Sequence, residues 1–298
     1  MKVLNFGSLN LDYVYAVDHF VQPGETLSSL SQKVVPGGKG LNQSVALARA
    51  GLDVSLAGAI GEDGRFLLEQ LHAAGVDTRH VSVLSQVRTG HAIIQNDPSG
   101  DNCILVYGGA NHCTTREQID RVLTAFGKGD VLTLQNEIRE LDYLIRSAKT
   151  KGLRVALTPA PMNEAVEKLP LELIDYLFLN EVECASLLHA DAEADPIGAA
   201  QALRERFGLG SVVLTLGGEG SAYAGAEGCF RQAAVPAEAV DTTGAGDTYA
   251  GFFLGGVLSR LDVPTAMRYA STAAAIAISR PGASASIPSR EEVLGQMV

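Results

Sequence analysis

The chain predicts an α/β fold, a central mostly parallel sheet with helices on both faces, and two observations carry that prediction. Short β-branched apolar runs recur at residues 54–60, 131–134, 154–157, 176–179 and 211–216. Between them lie amphipathic segments of helix length, and strands alternating with helices build parallel sheets that are buried on both faces. A hydrophobic share of 46% over 298 residues is enough for a sizeable core.

From the N-terminus, the apolar run at residues 3–6 starts the sheet, with no basic-then-apolar leader before it. Helices are expected at 41–50, 65–74, 115–126 and 197–207, each running to or near a glycine: Gly51, Gly75, Gly127 and Gly208. Glycine takes the left-handed conformation that closes a last helical turn at least cost. Further helices are expected at 141–149, 250–258 and 264–279. Two intervals, 11–35 and 88–107, break the rhythm with strand-like residues around PGET (23–26) and DPSG (97–100). The second reads as a hairpin turning at DPSG. Strands too short and too polar for a buried sheet suggest a small separate sheet over the mouth of a site. With no repeat and no Pro- or Ser-rich linker, residues 1–298 are expected to form one domain that includes both lid segments.

Charge and composition exclude several classes of function. Lys and Arg number 23 against 34 Asp and Glu, which leaves a net charge of −11 and no basic stripe for a nucleic-acid backbone. Cys103, Cys113, Cys184 and Cys229 are scattered without zinc spacing, and the six histidines form no metal-binding motif. No run approaches the length of a membrane span. A cytoplasmic protein with reduced cysteines and no protein-held catalytic metal is expected.

The most informative segment is DTTGAGDT, residues 241–248, which leads into a helical run from Tyr249 onward. Gly244, Ala245 and Gly246 are small enough to bring backbone N–H groups against an anion at a helix N-terminus. Asp247 beside such an anion hole suggests a base that takes a proton from a hydroxyl attacking phosphorus. A helix cap needs one such residue and explains neither both glycines nor the second Asp. PGGKG, residues 36–40, allows close backbone approach while Lys39 and Asn42 offer donors, although a tight turn before a helix fits it equally well. Asn10 and Asp12, two apart on an extended segment, share a side and suit a polyhydroxylated ligand or local loop bonds. NEVE (180–183), TLGGEG (215–220) and Glu137 in LQNE each follow a strand, at the sheet end where α/β proteins bind ligands. There Glu183 would order water on the Mg²⁺ of a nucleotide, and the glycines would let the nucleotide lie against backbone. Each is also an ordinary turn.

Together GSLNLD, FVQPGET, PGGKGLNQSVALARAG, NEVE, DTTGAGDT and SRPGASASIP occur in the order and spacing of the ribokinase-like carbohydrate kinases, the PfkB family, which the whole chain resembles. The resemblance implies a ribokinase-like fold with a small β lid, and ATP-dependent phosphorylation of a pentose, D-ribose to ribose 5-phosphate. It implies that Asn10, Asp12, Gly38, Lys39, Asn42 and Glu137 hold the sugar, with Ala92, Ile94 and Val106 as lid residues and Asp247 as base. Gly244, Ala245 and Gly246 become the anion hole, and Asn180, Thr215, Gly217 and Gly220 the nucleotide contacts. Asn180 and Glu183 serve the Mg²⁺ water shell. Asp241, Thr243, Ala277, Arg280, Gly282 and Ser286 form a monovalent-cation site for K⁺. A homodimer through the lid is implied too, with His91 in or near the contact, since strand alternation points it away from Ala92 and Ile94. Tyr249 stands where the family usually has Phe. Other kinases of the family, a non-catalytic sugar-binding regulator and a dinucleotide oxidoreductase are the rivals. The last predicts GxGxxG after the first strand, where GSLNLD stands instead.

Overall fold

The computed structural model describes residues 1–99, 101–189 and 195–297. The chain forms β1 (Val3–Phe6), crosses to β2 (Asn10–Ala16) and β3 (Ser31–Gly37), and enters α1 (Lys39–Arg49). It continues through β4 (Val54–Gly61), α2 (Phe66–Ala73), β5 (Asp77–Leu84), β6 (Gly90–Asn96), β7 (Asn102–Tyr107), α3 (Arg116–Leu123), β8 (Val131–Gln135), α4 (Leu141–Thr150) and β9 (Arg154–Thr158). The C-terminal part holds β10 (Tyr176–Asn180), α5 (Glu181–Leu188), α6 (Pro196–Phe207), β11 (Ser211–Thr215), β12 (Ser221–Gly225), β13 (Gly228–Gln232), α7 (Ala245–Leu258), α8 (Val263–Ile278) and α9 (Arg290–Gln296).

Nine strands make the central sheet in the order β13-β12-β11-β10-β9-β8-β1-β4-β5. From β5 to β11 all neighbours are parallel, and β12 and β13 close one edge as an antiparallel hairpin. Successive residues of each strand feed opposite cores. Val3, Val131, Ala156, Phe178 and Val213 pack with α1, α2, α7, α8 and α9. Leu4, Leu132, Leu157, Leu177 and Leu214 pack with α3, α4, α5 and α6. That two-sided burial is why these strands read as continuous apolar runs.

The strand order reverses at β1, whose neighbours β4 and β8 both come later in the chain. Such a reversal opens a crevice at the carboxyl ends of the strands. The N-terminus of α1 crosses that end in backbone contact with β1. A Cβ on Gly40 would lie 2.3 Å from the Ser8 nitrogen, and one on Gly7 would lie 2.7 Å from the Gly40 Cα, so only glycine fits at either position.

The lid is a second sheet, ordered β3-β2-β6-β7, rooted in the first because β2 follows β1 after three residues. The expected hairpin is β6–β7, where Asp97 Oδ1 accepts from the Ser99 and Asp101 N–H groups. Gly100 of DPSG lies outside the described residues.

Several expected boundaries move. Helix α1 begins at Lys39 and α7 at Ala245, so Gly38 and Gly244 cap these helices, Gly40 and Gly246 lie in their first turns, and Gly37 ends β3. Helix α3 stops at Leu123, and Gly127 therefore closes nothing; the other three expected helix-closing glycines all have positive φ, Gly51 at 96°, Gly75 at 81° and Gly208 at 67°. Strand β11 ends at Thr215, one residue before the expected Leu216.

Candidate active site

The N-cap of α7 is Gly244, at φ 77°, which brings no side chain to the first turn. Its carbonyl takes both the N–H and the hydroxyl of Thr248, each at 2.9 Å. The first-turn N–H groups of a helix have no acceptor within it, so Gly246 and Asp247 present donors at the positive end of the dipole, whereas the Ala245 N–H, expected in the anion hole, donates to the Thr242 carbonyl at 3.2 Å. Asp247 is 6% exposed and is gripped from α1: Asn42 Nδ2 donates to one oxygen and Gln43 Nε2 to the other, each at 3.1 Å. Helices α1 and α7 reach that closeness through Gly251, where a Cβ would sit 2.4 Å from the Ala46 Cβ.

Beside Asp247 lies a second polar group. Glu137, just after β8, accepts the Lys39 backbone N–H at 3.0 Å and the Ser8 hydroxyl. Asp12 and Asn10 are buried on β2, and Asp12 lies under Gly37, where any Cβ would overlap its carboxylate. Asn10 Oδ1 accepts from Asn111 Nδ2 at 2.7 Å, and Asn111 Oδ1 accepts the Leu9 N–H at 3.0 Å. Gly38 holds φ 91° between lid and helix. Register puts Asp12, Ala92 and Val106 in one row of the lid, with Val14, Ile94 and Ile104 in a row two residues along each strand. His91 is on the opposite face, between Tyr13 (ring centroids 5.8 Å apart) and Tyr107 (5.0 Å).

On the other side of Asp247 the carboxyl ends of β9, β10 and β11 border a cavity of about 210 Å³ lined by Lys39, Asn180, Glu183, Thr215, Gly244 and Asp247, among others. Through Thr215, Thr242, Ala245 and Gly246 it adjoins a larger cleft of about 490 Å³. Gly217 and Gly220 line that cleft with Val235, Pro236, Ala275 and Ile278, an apolar slot of a size that takes a flat heterocycle. NEVE serves the fold as well, as a reciprocal cap of α5. Asn180 Oδ1 accepts the Glu183 N–H at 2.8 Å, and Glu183 Oε2 accepts the Asn180 N–H at 3.0 Å.

Among the six residues expected at a cation site, Asp241 joins two loops. Its carboxylate takes the Thr243 N–H at 3.0 Å and the Gly282 N–H at 2.9 Å. The Ala277 carbonyl accepts the Arg280 N–H at 3.1 Å, and Ser286 bonds within its own loop to the Ala283 carbonyl. The Arg280 guanidinium turns away to Glu292, 2.6 Å distant, so it does not compete with a cation between the loops.

Residues 1–290 match the pfkB family carbohydrate kinase profile. The chain belongs to that family. It is 35% identical to a ribokinase of Haemophilus influenzae over 97% of this chain and 95% of that protein. In structure it resembles Thermotoga maritima ribokinase, with a TM-score of 0.86 at 32% identity over 100% of this chain and 99% of that one. It also resembles Arabidopsis thaliana ribokinase complexed with ribose and ATP, with a TM-score of 0.87 at 28% identity over 99% and 97% of the two chains.

The electrostatics of this carbohydrate kinase follow from burial. Burial pushes the Asp247, Glu137 and Glu183 carboxyls above their ordinary range, and in each case Lys39 pulls back. Lys39 is in turn raised, first by Asp247. Asp12, with Glu137 as a like-charged neighbour, is pushed by burial up to about 7. Sequence reasoning missed Ser8, Gln43, Asn111, Gln135 and Thr158. The available signal for the strand residues was a buried polar residue in a mainly apolar strand, as with Asn5 within VLNF and Gln135 at the end of VLTLQ.

A raised Asp pKa sets the sign of a stability change. Between pH 3.8 and about 7 the folded chain keeps a proton on Asp12 that the unfolded chain has lost, so stability falls as pH rises through that window. Asp12→Asn is therefore expected to stabilise the ligand-free protein at pH 8 by about 1–3 kcal/mol, with the gain shrinking toward zero at about pH 4. Urea denaturation at both pH values reads the difference, and a gain independent of pH contradicts it.

Proposed function

We propose that this kinase transfers the γ-phosphoryl group of ATP to the primary hydroxyl of D-ribose. The observation that carries the reading is the place of Asp247, buried on the first turn of α7 and lining the same cavity as Lys39, Glu183, Gly244, Ala245 and Gly246. The apolar cleft takes the nucleoside end of ATP beside Thr215, Gly217 and Gly220, and Asn180 borders the phosphates. Asn10, Asp12, Lys39, Asn42 and Glu137 give one small ring a dense set of partners, with Gly38 allowing close approach and Ala92, Ile94 and Val106 over its apolar side. Mg²⁺ arrives with ATP as part of the substrate and neutralises phosphate charge. The half-buried Glu183 carboxylate suits a hydrogen bond to its water shell.

In the reaction, Asp247 accepts the proton of the attacking hydroxyl, and the α7 N–H groups meet the charge on the transferred group. Burial raises the basicity of Asp247, while Lys39, Asn42 and Gln43 favour its ionised form. Asp247→Asn keeps shape and removes the acceptor. It is expected to lower kcat by about two orders of magnitude or more with ATP and ribose still bound. A coupled assay over ribose, 2-deoxyribose, fructose and adenosine tests both halves of the reading. Wild-type kcat in the variant rejects the base, and a higher kcat/KM for another acceptor rejects ribose.

A monovalent-cation site at Asp241, Thr243, Ala277, Arg280, Gly282 and Ser286 belongs to this reading. The donors are hard oxygens on two loops that Asp241 already ties together, which suits a large monovalent ion. A bound cation stiffens the loop that leads into Gly244. K⁺ in place of Na⁺ at constant ionic strength is expected to raise kcat more than it changes either KM; an unchanged rate removes the site.

The lid supports a homodimer. Strand β7 is exposed along its length, with Leu105 68% and Tyr107 54% accessible, and its outer face carries Tyr13, His91 and Ile93 beside them. A second copy covers that surface and the open strand edge. Light scattering at micromolar concentration is expected to give twice the chain mass of 31.3 kDa, and a monomer mass contradicts the dimer. No described helix is long and apolar enough to cross a membrane. Four free cysteines suit the reducing cytoplasm, which is the location this reading assigns.

A further inference from the structure

Beneath the site a chain of buried amides runs from the first strand of the sheet to the carboxylate of Asp247. Asn5 Nδ2 donates to the Gly40 carbonyl at 2.7 Å and to Ser44 Oγ at 2.8 Å. Gln135 Nε2 donates to Asn5 Oδ1 at 3.0 Å and to Gln43 Oε1 at 2.6 Å. Gln43 Nε2 donates to Thr158 Oγ1 at 3.0 Å and to Asp247 Oδ1 at 3.1 Å. Asn5 and Gln135 are fully buried, and Gln43 is 4% exposed.

The polarity of this chain is forced. The Gly40 carbonyl can only accept, so the Asn5 amide nitrogen faces it and the Asn5 oxygen faces Gln135. The Gln135 nitrogen must then lie between two amide oxygens, those of Asn5 and Gln43. With its oxygen so held, Gln43 has its nitrogen toward Asp247. Turning any one amide over would set acceptor against acceptor in the buried interior, where an unmade hydrogen bond is costly.

We propose that Gln43 is a positioning residue, locked by Gln135 and Asn5, that fixes the orientation of the Asp247 carboxylate and favours its ionised form. The inference rests on Asp247 being the base. Gln43 takes one carboxylate oxygen and Asn42 the other, so the two α1 amides define the plane in which the remaining lone pairs lie. The charged groups that also act on Asp247 are Lys39 from α1, Glu183 from α5 and Glu137 after β8, and Gln43 adds a neutral donor that none of them supplies. Holding a base within a narrow angle of its proton is a requirement on kcat, not on substrate binding.

Gln43→Met keeps length and volume and removes both the donor to Asp247 and the acceptor for Gln135 Nε2. Steady-state kinetics across pH are expected to show kcat lower by about tenfold or more with both KM values changed by less than about threefold. The acid limb of kcat should move to higher pH. In an Asp247→Asn background the same substitution is expected to cost little further, because groups acting as one unit are not additive. An unchanged acid limb, or losses that multiply in the double variant, overturns the proposal. If Gln43→Met fails to fold, Gln43→Glu decides. It keeps the shape and sets a like charge against Asp247, so its acid limb should move further upward, and an unmoved limb overturns the proposal. Asp247→Asn alone separates the two levels: wild-type kcat there means that the base assignment itself has failed.

Discussion

The ammonium of Lys39 is the charge on which the site depends. Among the described residues it is the cation that Asp247, Glu137 and Glu183 share, and each of those carboxyls is pushed toward its neutral form by burial. Without a counter-charge a buried carboxylate protonates rather than stays ionised, and a protonated Asp247 cannot take up a proton. The backbone of the same residue donates to Glu137, so Lys39 fixes one carboxylate by a hydrogen bond and steadies three by charge. Its position is set by the glycines that let α1 cross the end of β1.

One cation among four carboxylates, Asp12 included, leaves the ligand-free site negative on a chain already at −11. Long-range steering therefore works against a polyphosphate, and the proposed reading assigns its binding to local groups: first-turn N–H groups of α7, the ion carried by ATP, and Lys39 itself. A neutral sugar meets no such opposition, and its hydroxyls satisfy acceptors that are otherwise buried. In the proposed reading, the stability that the empty site loses by ionising Asp12 is recovered when those hydroxyls bind.

The parallel core was legible because strands buried on both faces are mainly apolar, and the runs at β4, β8, β9, β10 and β11 are. The lid was legible from polar strand-like residues and turn signals. Strand β5 was not, since DTRHVSVL mixes polar and apolar residues on a half-buried edge, and the β12–β13 hairpin mixes small residues with Tyr223, Phe230, Arg231 and Gln232 and has no long apolar run. Helices α5 and α9 are short and rest on reciprocal caps at Asn180 and Ser289. NEVE drew attention as a ligand motif, although the same atoms begin a helix. In the proposed site, the residues assigned to ligands carry motif chemistry and stand in or near segments such as DTTGAGDT and PGGKG. Gln43, Gln135, Asn5 and Asn111 act on other side chains across more than 90 residues of sequence, and spacing along the chain holds no record of such contacts.

Carbon-13 NMR titration of the side-chain carboxyls, in wild type and Lys39→Met, measures the counter-charge itself. The pKa values of Asp247, Glu137 and Glu183 should all rise in the variant, by about one unit or more where the lysine is nearest, while Asp12 moves least. Unchanged values for those three carboxyls would show that Lys39 does not hold the site in its ionised form.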